Sequence, residues 1–460
     1  MDNFDVVVMG AGSAGLSVAR KLAAEGKSVS VVESRRVGGE CPYTACIPSK
    51  AMLRSAQVRS ESKRAVVLGA ASLPPILDSA SAAFARAVER RDQVVDQRDD
   101  GEAAKSLEND GVTLIRGHAR IARAGVVCVE ESHISYTDLV VTTGSQPVIP
   151  PINGISEVPV WTSDEALSTN RSPESLVVIG GGPVGCELSQ IFARFDCPTT
   201  LIEPANQLLG QEDPTIAAVL AGALTGDGVN VRLGVQVLAA RQLRDPARAL
   251  LSLNDGSNVE AERVLIATGR RPSTGGLNLD KLAIELQPDG SLTVDDNCKV
   301  VGQSHVWAAG DVTAIAPYTH TANYQAKIVV AGILGSHWRA QYNAIPRAVY
   351  TDPAVASVGM NSRAAGKAGI NWVSAAVDLS SVARSTTDSA PPGRLVVTAN
   401  RDESRLIGAA AIGPHADEWL AEAALAISAK IPLHVLAQAV HAFPTFGEAF
   451  ELAVQQLTEA

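Results

Sequence analysis

The chain has 460 residues, 46% of them hydrophobic and only 4% aromatic, with a formal net charge of −10. That length allows about three domains, and an apolar share of this order builds ordinary packed cores. The acidic balance argues against a nucleic-acid surface, which needs clustered Lys and Arg, and six cysteines in so long a chain do not make a disulfide scaffold.

The opening residues, Met1-Asp2-Asn3-Phe4-Asp5, lack a basic stretch, and glycines break the apolar run behind them. The expectation is a cytoplasmic protein with no signal peptide and no membrane span. Residues 4–9 read as a strand that ends at Gly10-Ala11-Gly12-Ser13-Ala14-Gly15. Helix is expected over 16–24 and a second strand over 29–32, closed by Glu33. In such a unit the glycines let backbone amides reach a pyrophosphate at a helix N-terminus, and the acid accepts bonds from ribose hydroxyls.

Next comes Gly38-Gly39-Glu40-Cys41-Pro42-Tyr43-Thr44-Ala45-Cys46-Ile47-Pro48-Ser49-Lys50. On a regular helix the five-residue step between the cysteines would separate them by roughly 7.5 Å along the axis, with side chains diverging. A disulfide needs Cα atoms about 4.4–6.8 Å apart. If Cys41 and Cys46 pair, the backbone between them must leave helical geometry, and Pro42 and Pro48 suit that by fixing φ and removing amide donors. Such a pair reads as a readily reduced disulfide or, equally, as two unrelated buried thiols.

Residues 51–110 read as helical and fairly charged, with a solvated face over 86–101; strands follow over 112–130 and 133–141. The first unit then returns. A strand over 176–179 precedes Gly180-Gly181-Gly182-Pro183-Val184-Gly185, a helix to 194 and a strand over 199–202 ending at Glu203. Gly10, Gly12, Gly15 and Glu33 thus recur 170 positions on as Gly180, Gly182, Gly185 and Glu203. Two matched sites imply two bound dinucleotides.

Thr142-Thr143-Gly144-Ser145-Gln146-Pro147 and Ala267-Thr268-Gly269-Arg270-Arg271-Pro272 read as strands leaving a nucleotide domain through a glycine turn. They place the second unit as an insertion in the first. Gly310-Asp311 ends another apolar strand, where the carboxylate either bonds cofactor hydroxyls or caps the helix expected from 321 onward. Beyond 343, strands over 348–350, 395–398 and 406–412 and amphipathic helices over 417–428 and 447–457 carry no phosphate loop. The expected fold is α/β: two Rossmann-like dinucleotide-binding domains, over 1–149 with 273–342 and over 150–272, plus a C-terminal α+β dimerisation domain over 343–460.

Taken together, these stretches resemble the FAD-dependent pyridine nucleotide-disulfide oxidoreductases, the family of dihydrolipoamide dehydrogenase, glutathione reductase and mercuric reductase. The resemblance is carried by Gly10–Gly15 with Glu33, the GGxCxxxxCxPSK segment, the repeat from Gly180 to Glu203, Ala267–Pro272, Ala309-Gly310-Asp311 and Ile345-Pro346-Arg347…Thr351-Asp352-Pro353. It implies FAD on the first unit, held by Gly10, Gly12, Ser13, Ala14, Gly15, Glu33, Gly39, Lys50, Thr143, Gly144, Gly310 and Asp311. It implies NAD(P)H on the second, held by Gly180, Gly182, Val184, Gly185, Glu203 and Gly269. Cys46 would face the flavin, Cys41 would exchange with substrate, and Lys50 would pair with Glu187 beside the flavin. Glu203 with Pro204-Ala205-Asn206 behind it offers no Arg for a 2′-phosphate, which predicts NADH over NADPH.

Two positions depart from the family pattern. Ala45 stands where relatives carry glycine. Phe443 stands where the thiol-reducing relatives carry the histidine that enters the partner subunit's site and shuttles protons, so Glu448 lacks its usual partner. General acid–base assistance is worth about 10²–10⁴ in rate. His441, which on an extended segment would share Phe443's face, is the nearest substitute, ahead of His320 and Tyr43. The C-terminal cysteine pair of the mercury enzymes is absent, and Cys128, Cys186, Cys197 and Cys298 show no metal spacing, so no metal site is expected. The expected function is a homodimeric, NADH-dependent flavoprotein acting on a disulfide or dithiol. A quinone, oxygen or another small electrophile is the alternative acceptor, and a non-catalytic binding protein the third possibility.

Overall fold

A computed structural model of the chain describes residues 2–243 and 248–459. They form two compact units, one of residues up to 48 with Asp92–Val148 and Gly269–Tyr342, the other of Ser49–Arg91, Ile149–Thr268 and the residues from 343 onward.

In the first unit the sheet grows from strand β1 (Asp2–Met9). β1 pairs in parallel with β2 (Val29–Glu33) on one side and with Ser132–Val141 on the other; Thr113–Arg116 extends the β2 edge. Val306–Ala308 also pairs in parallel with Ser132–Val141, while Val126–Val129 and Ala119–Arg123 add an antiparallel meander. The apolar run of β1 is continuous because both faces are covered. Val6 and Val8 pack with Val18 and Leu22 and with Val329, whereas Val7 and Met9 face Ile121, Leu139 and Val141. Burying each such side chain contributes about 1.5–3 kcal/mol.

Helix α1 (Ser13–Ala24) begins three residues earlier than the pattern predicts, directly behind Gly12. It lies so close over β1 that a Cβ at Gly15 would fall on the Gly10 carbonyl oxygen, while Gly10 itself takes φ +105°. α2 starts at Cys46 and runs to Lys63.

The second unit repeats the plan. Its parallel sheet runs in the order Val229–Leu233, Thr199–Glu203, Leu176–Ile179, Arg263–Ile266, Val160–Trp161, the same outward order from the first strand as in the first unit. A three-stranded antiparallel sheet, Val237–Leu243, Arg248–Leu253 and Asn258–Ala261, packs its Leu251 and Leu253 beneath Val177 and Ile179. A five-stranded antiparallel sheet, built of Pro346–Val349, Ala354–Gly359, Arg405–Gly413, Arg394–Asn400 and Trp372–Asp378, forms the C-terminal part. Helix Glu448–Glu459 lays Phe450, Val454 and Leu457 into its core. The α/β class with two Rossmann-like sheets and an α+β C-terminal portion is therefore what the chain adopts.

Several details differ from the sequence pattern. The stretch 51–110 is three helices, with no regular structure over 70–79. The solvated face expected over 86–101 is not continuous: Arg91 is 1% exposed, its Nη1 donating to the Thr169 carbonyl at 2.8 Å, and Val88 and Val95 are buried beside it in the chain. The helix expected over 417–428 is divided into Ala416–Trp419 and Ala421–Ser428. Among the described residues no helix is long and apolar enough to cross a membrane, and no group of three His, Cys, Asp or Glu could hold a metal ion.

Candidate active site

The two glycine loops are built alike down to their hydrogen bonds. The Glu33 carboxylate accepts from the Ala11 amide at 2.7 Å and from the Arg35 amide at 2.6 Å. Glu203 does the same with Gly181 at 2.6 Å and Ala205 at 2.8 Å, the partners shifted by the same 170 positions. Each acid fastens its own βα turn with two strong charge-assisted bonds. The helix behind each turn starts at a glycine, Gly12 or Gly182, that offers no side-chain cap. The first amides, at Ser13 and Ala14 and at Val184 and Gly185, thus point out of an uncapped helix end, the arrangement that receives a phosphate.

Space is left there too. A Cβ at Gly12, Gly144, Gly182 or Gly269 would meet nothing within 4 Å. The Thr143 hydroxyl is a buried oxygen with no hydrogen-bond partner among the described residues, the mark of a group awaiting a ligand. Gly39, at φ +71°, brings the cysteine segment against the loop, where an added Cβ would come within 2.9 Å of the Gly12 Cα. Gly310 donates its amide to Gln325 Oε1 at 2.7 Å, and the Asp311 carboxylate accepts from the Ser145 hydroxyl at 2.6 Å. These residues fit a dinucleotide in each unit.

Between Cys41 and Cys46 the backbone runs in turns, and α2 begins only at the second cysteine. The Cys41 carbonyl accepts the Ile47 amide at 3.0 Å, closing the loop, and Pro48 lies in the first turn of α2, where a missing N–H is harmless. Both sulfurs come to one hydroxyl. Thr319 Oγ1 donates to Cys41 Sγ at 3.4 Å and lies 3.6 Å from Cys46 Sγ. Thr319 is the first residue of the helix Thr319–Ile333, and nothing in its sequence surroundings marked it. Beside Cys41, Glu40 is held by Arg270 at 2.6 Å and Arg35 at 3.2 Å, and Arg270 also donates to Ser145. Three of the four remaining cysteines are of another kind. Burial pushes the Cys197 and Cys298 thiols up to about 11 and Cys186 further still, so none of these is a thiolate at neutral pH.

In the second unit Lys50 Nζ reaches both carboxylate oxygens of Glu187, at 3.1 and 2.9 Å. Glu187 is buried and also accepts the Tyr350 amide at 2.9 Å, and the Tyr350 ring lies 4.5 Å from the same ammonium. One and two turns further along the same helix, Gln190 bonds both the amide and the carbonyl of Asp352, and Arg194 grips the Asp352 carboxylate at 2.8 Å. One helix face thereby fixes the segment that carries Tyr350.

His441 and Phe443 do not share a face. The His441 side chain is 11% exposed, with Nε2 2.9 Å from Glu422 and Nδ1 3.4 Å from Glu451, whereas Phe443 is 75% exposed. Two carboxylates and the nearby Phe450 ring draw the histidine inward. Glu448 takes the Thr445 amide at 3.2 Å. Of the lesser substitutes, Tyr43 is buried with its hydroxyl on the Val37 carbonyl, and burial, then Asp100, raises its pKa. The His320 ring is stacked on Tyr318.

Paired dinucleotide loops with a cysteine couple beside the first define a nucleotide-linked redox flavoprotein. Residues 4–326 match the model of the pyridine nucleotide-disulphide oxidoreductases and 345–454 the dimerisation domain of the same enzymes. The chain belongs to that family, and its cofactors are FAD and NAD(H). It is 32% identical over 454 residues to a dihydrolipoyl dehydrogenase of Halobacterium salinarum, covering 97% of this chain and 94% of the relative. A mercuric reductase of Shigella flexneri is 31% identical, covering 98% and 80%. Among solved structures, the HOCl-induced flavoprotein disulfide reductase RclA of Escherichia coli superposes with a TM-score of 0.85 at 25% identity, over 98% of this chain and 99% of that one.

Replacing Lys50 by Met leaves the buried Glu187 carboxylate with a single amide partner. Because Lys50 is itself a third exposed, a loss of about 2 kcal/mol is expected in urea unfolding, and adding Glu187→Gln should recover part of it. A double variant no more stable than Lys50→Met would show that the two groups are not coupled.

Proposed function

We propose that this enzyme passes electrons from NADH by way of FAD to a Cys41–Cys46 disulfide and on to a small-molecule disulfide, or runs the reverse reaction on a dithiol. The convergence of two partly exposed sulfurs on the Thr319 hydroxyl is the observation that carries this reading. FAD, when bound, supplies the hydride-accepting and electron-passing chemistry. The amides of Ser13 and Ala14, the acids Glu33 and Asp311, and the hydroxyl of Thr143 would hold it, and Glu187 keeps the Lys50 ammonium in a fixed place. We assign FAD to 1–149 and 273–342, NAD(H) to 150–272, and the subunit interface of a cytoplasmic homodimer to 343–460. Gel filtration and cell fractionation check these last two points.

The chain's own chemistry is thiol exchange. The Cys41 thiolate attacks one sulfur of the substrate, whose other half departs as a thiolate. Cys46, its thiol proton passing to the thiolate just released, then attacks the Cys41 sulfur, releasing the second half as a thiolate and restoring the disulfide. Phe443 holds no proton, and His441 anchors its own loop through Glu422 and Glu451, so the family's histidine base has no direct replacement from this segment. Glu448 accepts the Thr445 amide, a bond that serves the loop.

One observation favours a second acceptor class. Val440 is 96% and Phe443 75% exposed, which gives the segment that replaces the proton shuttle an apolar tip suited to a flat acceptor such as a quinone. Cys41→Ser separates the two. Loss of disulfide reduction by a factor of at least about 10³, together with loss of quinone reduction, would place both on the sulfurs. Quinone turnover that survives Cys41→Ser while disulfide activity is negligible in the unsubstituted enzyme would overturn the disulfide assignment.

The donor is tested separately. Among the described residues, Arg232 on the strand beside that of Glu203 is engaged by Asp255 and Ser257. NADH should exceed NADPH in kcat/KM by about tenfold or more, the size of one unpaired charge contact. Equal values would contradict the role given to Glu203.

A further inference from the structure

The hydroxyl of Thr319 touches both members of the cysteine pair, and its single hydrogen cannot serve both at once. With that hydrogen donated to Cys41 Sγ at 3.4 Å, the 3.6 Å contact with Cys46 Sγ is a hydrogen bond only when the cysteine S–H is donor and Oγ1 acceptor. The three atoms form a directed chain, Cys46 S–H to Thr319 O–H to Cys41 S. Reversing every donor gives the mirror arrangement, with the proton on Cys41 and the charge on Cys46.

We propose that Thr319 is a catalytic residue that relays a proton between the two sulfurs of the reduced pair. The inference rests on the redox role given to Cys41 and Cys46 above. In the step, the hydroxyl hydrogen moves to the thiolate as the thiol proton moves to Oγ1. One S–H bond breaks and the other forms, the hydroxyl is regenerated, and no electrons change hands.

Three features support the assignment. Thr319 opens a 15-residue helix with no side-chain capping bond at its N-cap, so the end of the helix carrying partial positive charge stands where a thiolate forms. A hydroxyl bond to an ionised sulfur is stronger than one between neutral groups, and the relay keeps one such bond in either state. The relay also answers the need left by Phe443, which holds no proton. A thiol at Cys41 becomes a nucleophile without an outside base, because its proton is parked on Cys46.

The test uses the FAD-loaded enzyme reduced anaerobically, with iodoacetamide alkylation of each cysteine followed by peptide mass analysis across pH. In Thr319→Val, which keeps the shape and removes the hydroxyl, the pH midpoints of Cys41 and Cys46 alkylation should both rise by about one unit. Disulfide reduction should slow about tenfold in kcat with little change in KM. Thr319→Ser should restore the midpoints and the rate, which a packing defect would not allow. Midpoints unmoved in Thr319→Val, or moved for one cysteine alone, would overturn the relay. Failure of the redox-pair reading looks different, because thiol alkylation reports the hydroxyl contact even in an enzyme whose sulfurs take up no electrons.

Discussion

The arrangement depends on a carboxylate that staples the two ends of a tight turn. Glu33 and Glu203 each accept the amide two residues on and an amide 22 residues back, and so hold the glycine loop at a fixed height above its sheet. Without that staple the uncapped helix ends behind Gly12 and Gly182 would have no defined position for a phosphate. The close helix–strand approach at Gly10 and Gly15, repeated at Gly180 and Gly185, is the steric half of the same constraint. An acid in this role is occupied by the protein's own backbone, which leaves only its remaining lone pairs for a ribose.

From that frame the redox segment follows as local geometry. Gly39 brings it against the first loop, and Pro48 lies where α2 can begin at Cys46. The turns between the cysteines carry both sulfurs to the mouth of the Thr319 helix. Charge is kept to the margins: Glu40 is neutralised by Arg35 and Arg270, and the buried Glu187 by Lys50 and the Tyr350 amide. A thiolate forming at the pair therefore meets a helix N-terminus and a hydroxyl, with the neighbouring carboxylate already paired.

Much of this could be read from residues alone. The 170-residue spacing gave both nucleotide loops, because strand, glycine and acid positions depend on local geometry that repeats wherever the unit repeats. Family resemblance supplied the Lys50–Glu187 pair, which no spacing rule reveals, since its partners lie 137 positions apart. What escaped was set by packing. Thr319 and Tyr350 are ordinary residues until the fold places one between two sulfurs and the other over an ammonium. Arg91 reads as a surface charge but finds a carbonyl inside. His441 was expected on the Phe443 face because an extended strand alternates regularly, yet Glu422 and Glu451 lie elsewhere in the sequence and decide its direction.

The central claim is that the sulfurs of Cys41 and Cys46 belong to the electron path. Anaerobic titration of the purified yellow enzyme with NADH, followed by flavin absorbance, measures this most directly by counting the electrons each flavin site accepts. Two pairs per flavin, one on the cofactor and one on the cysteines, is the expected result. Saturation after a single pair would mean that the cysteines stand idle and that the acceptor draws on the flavin alone.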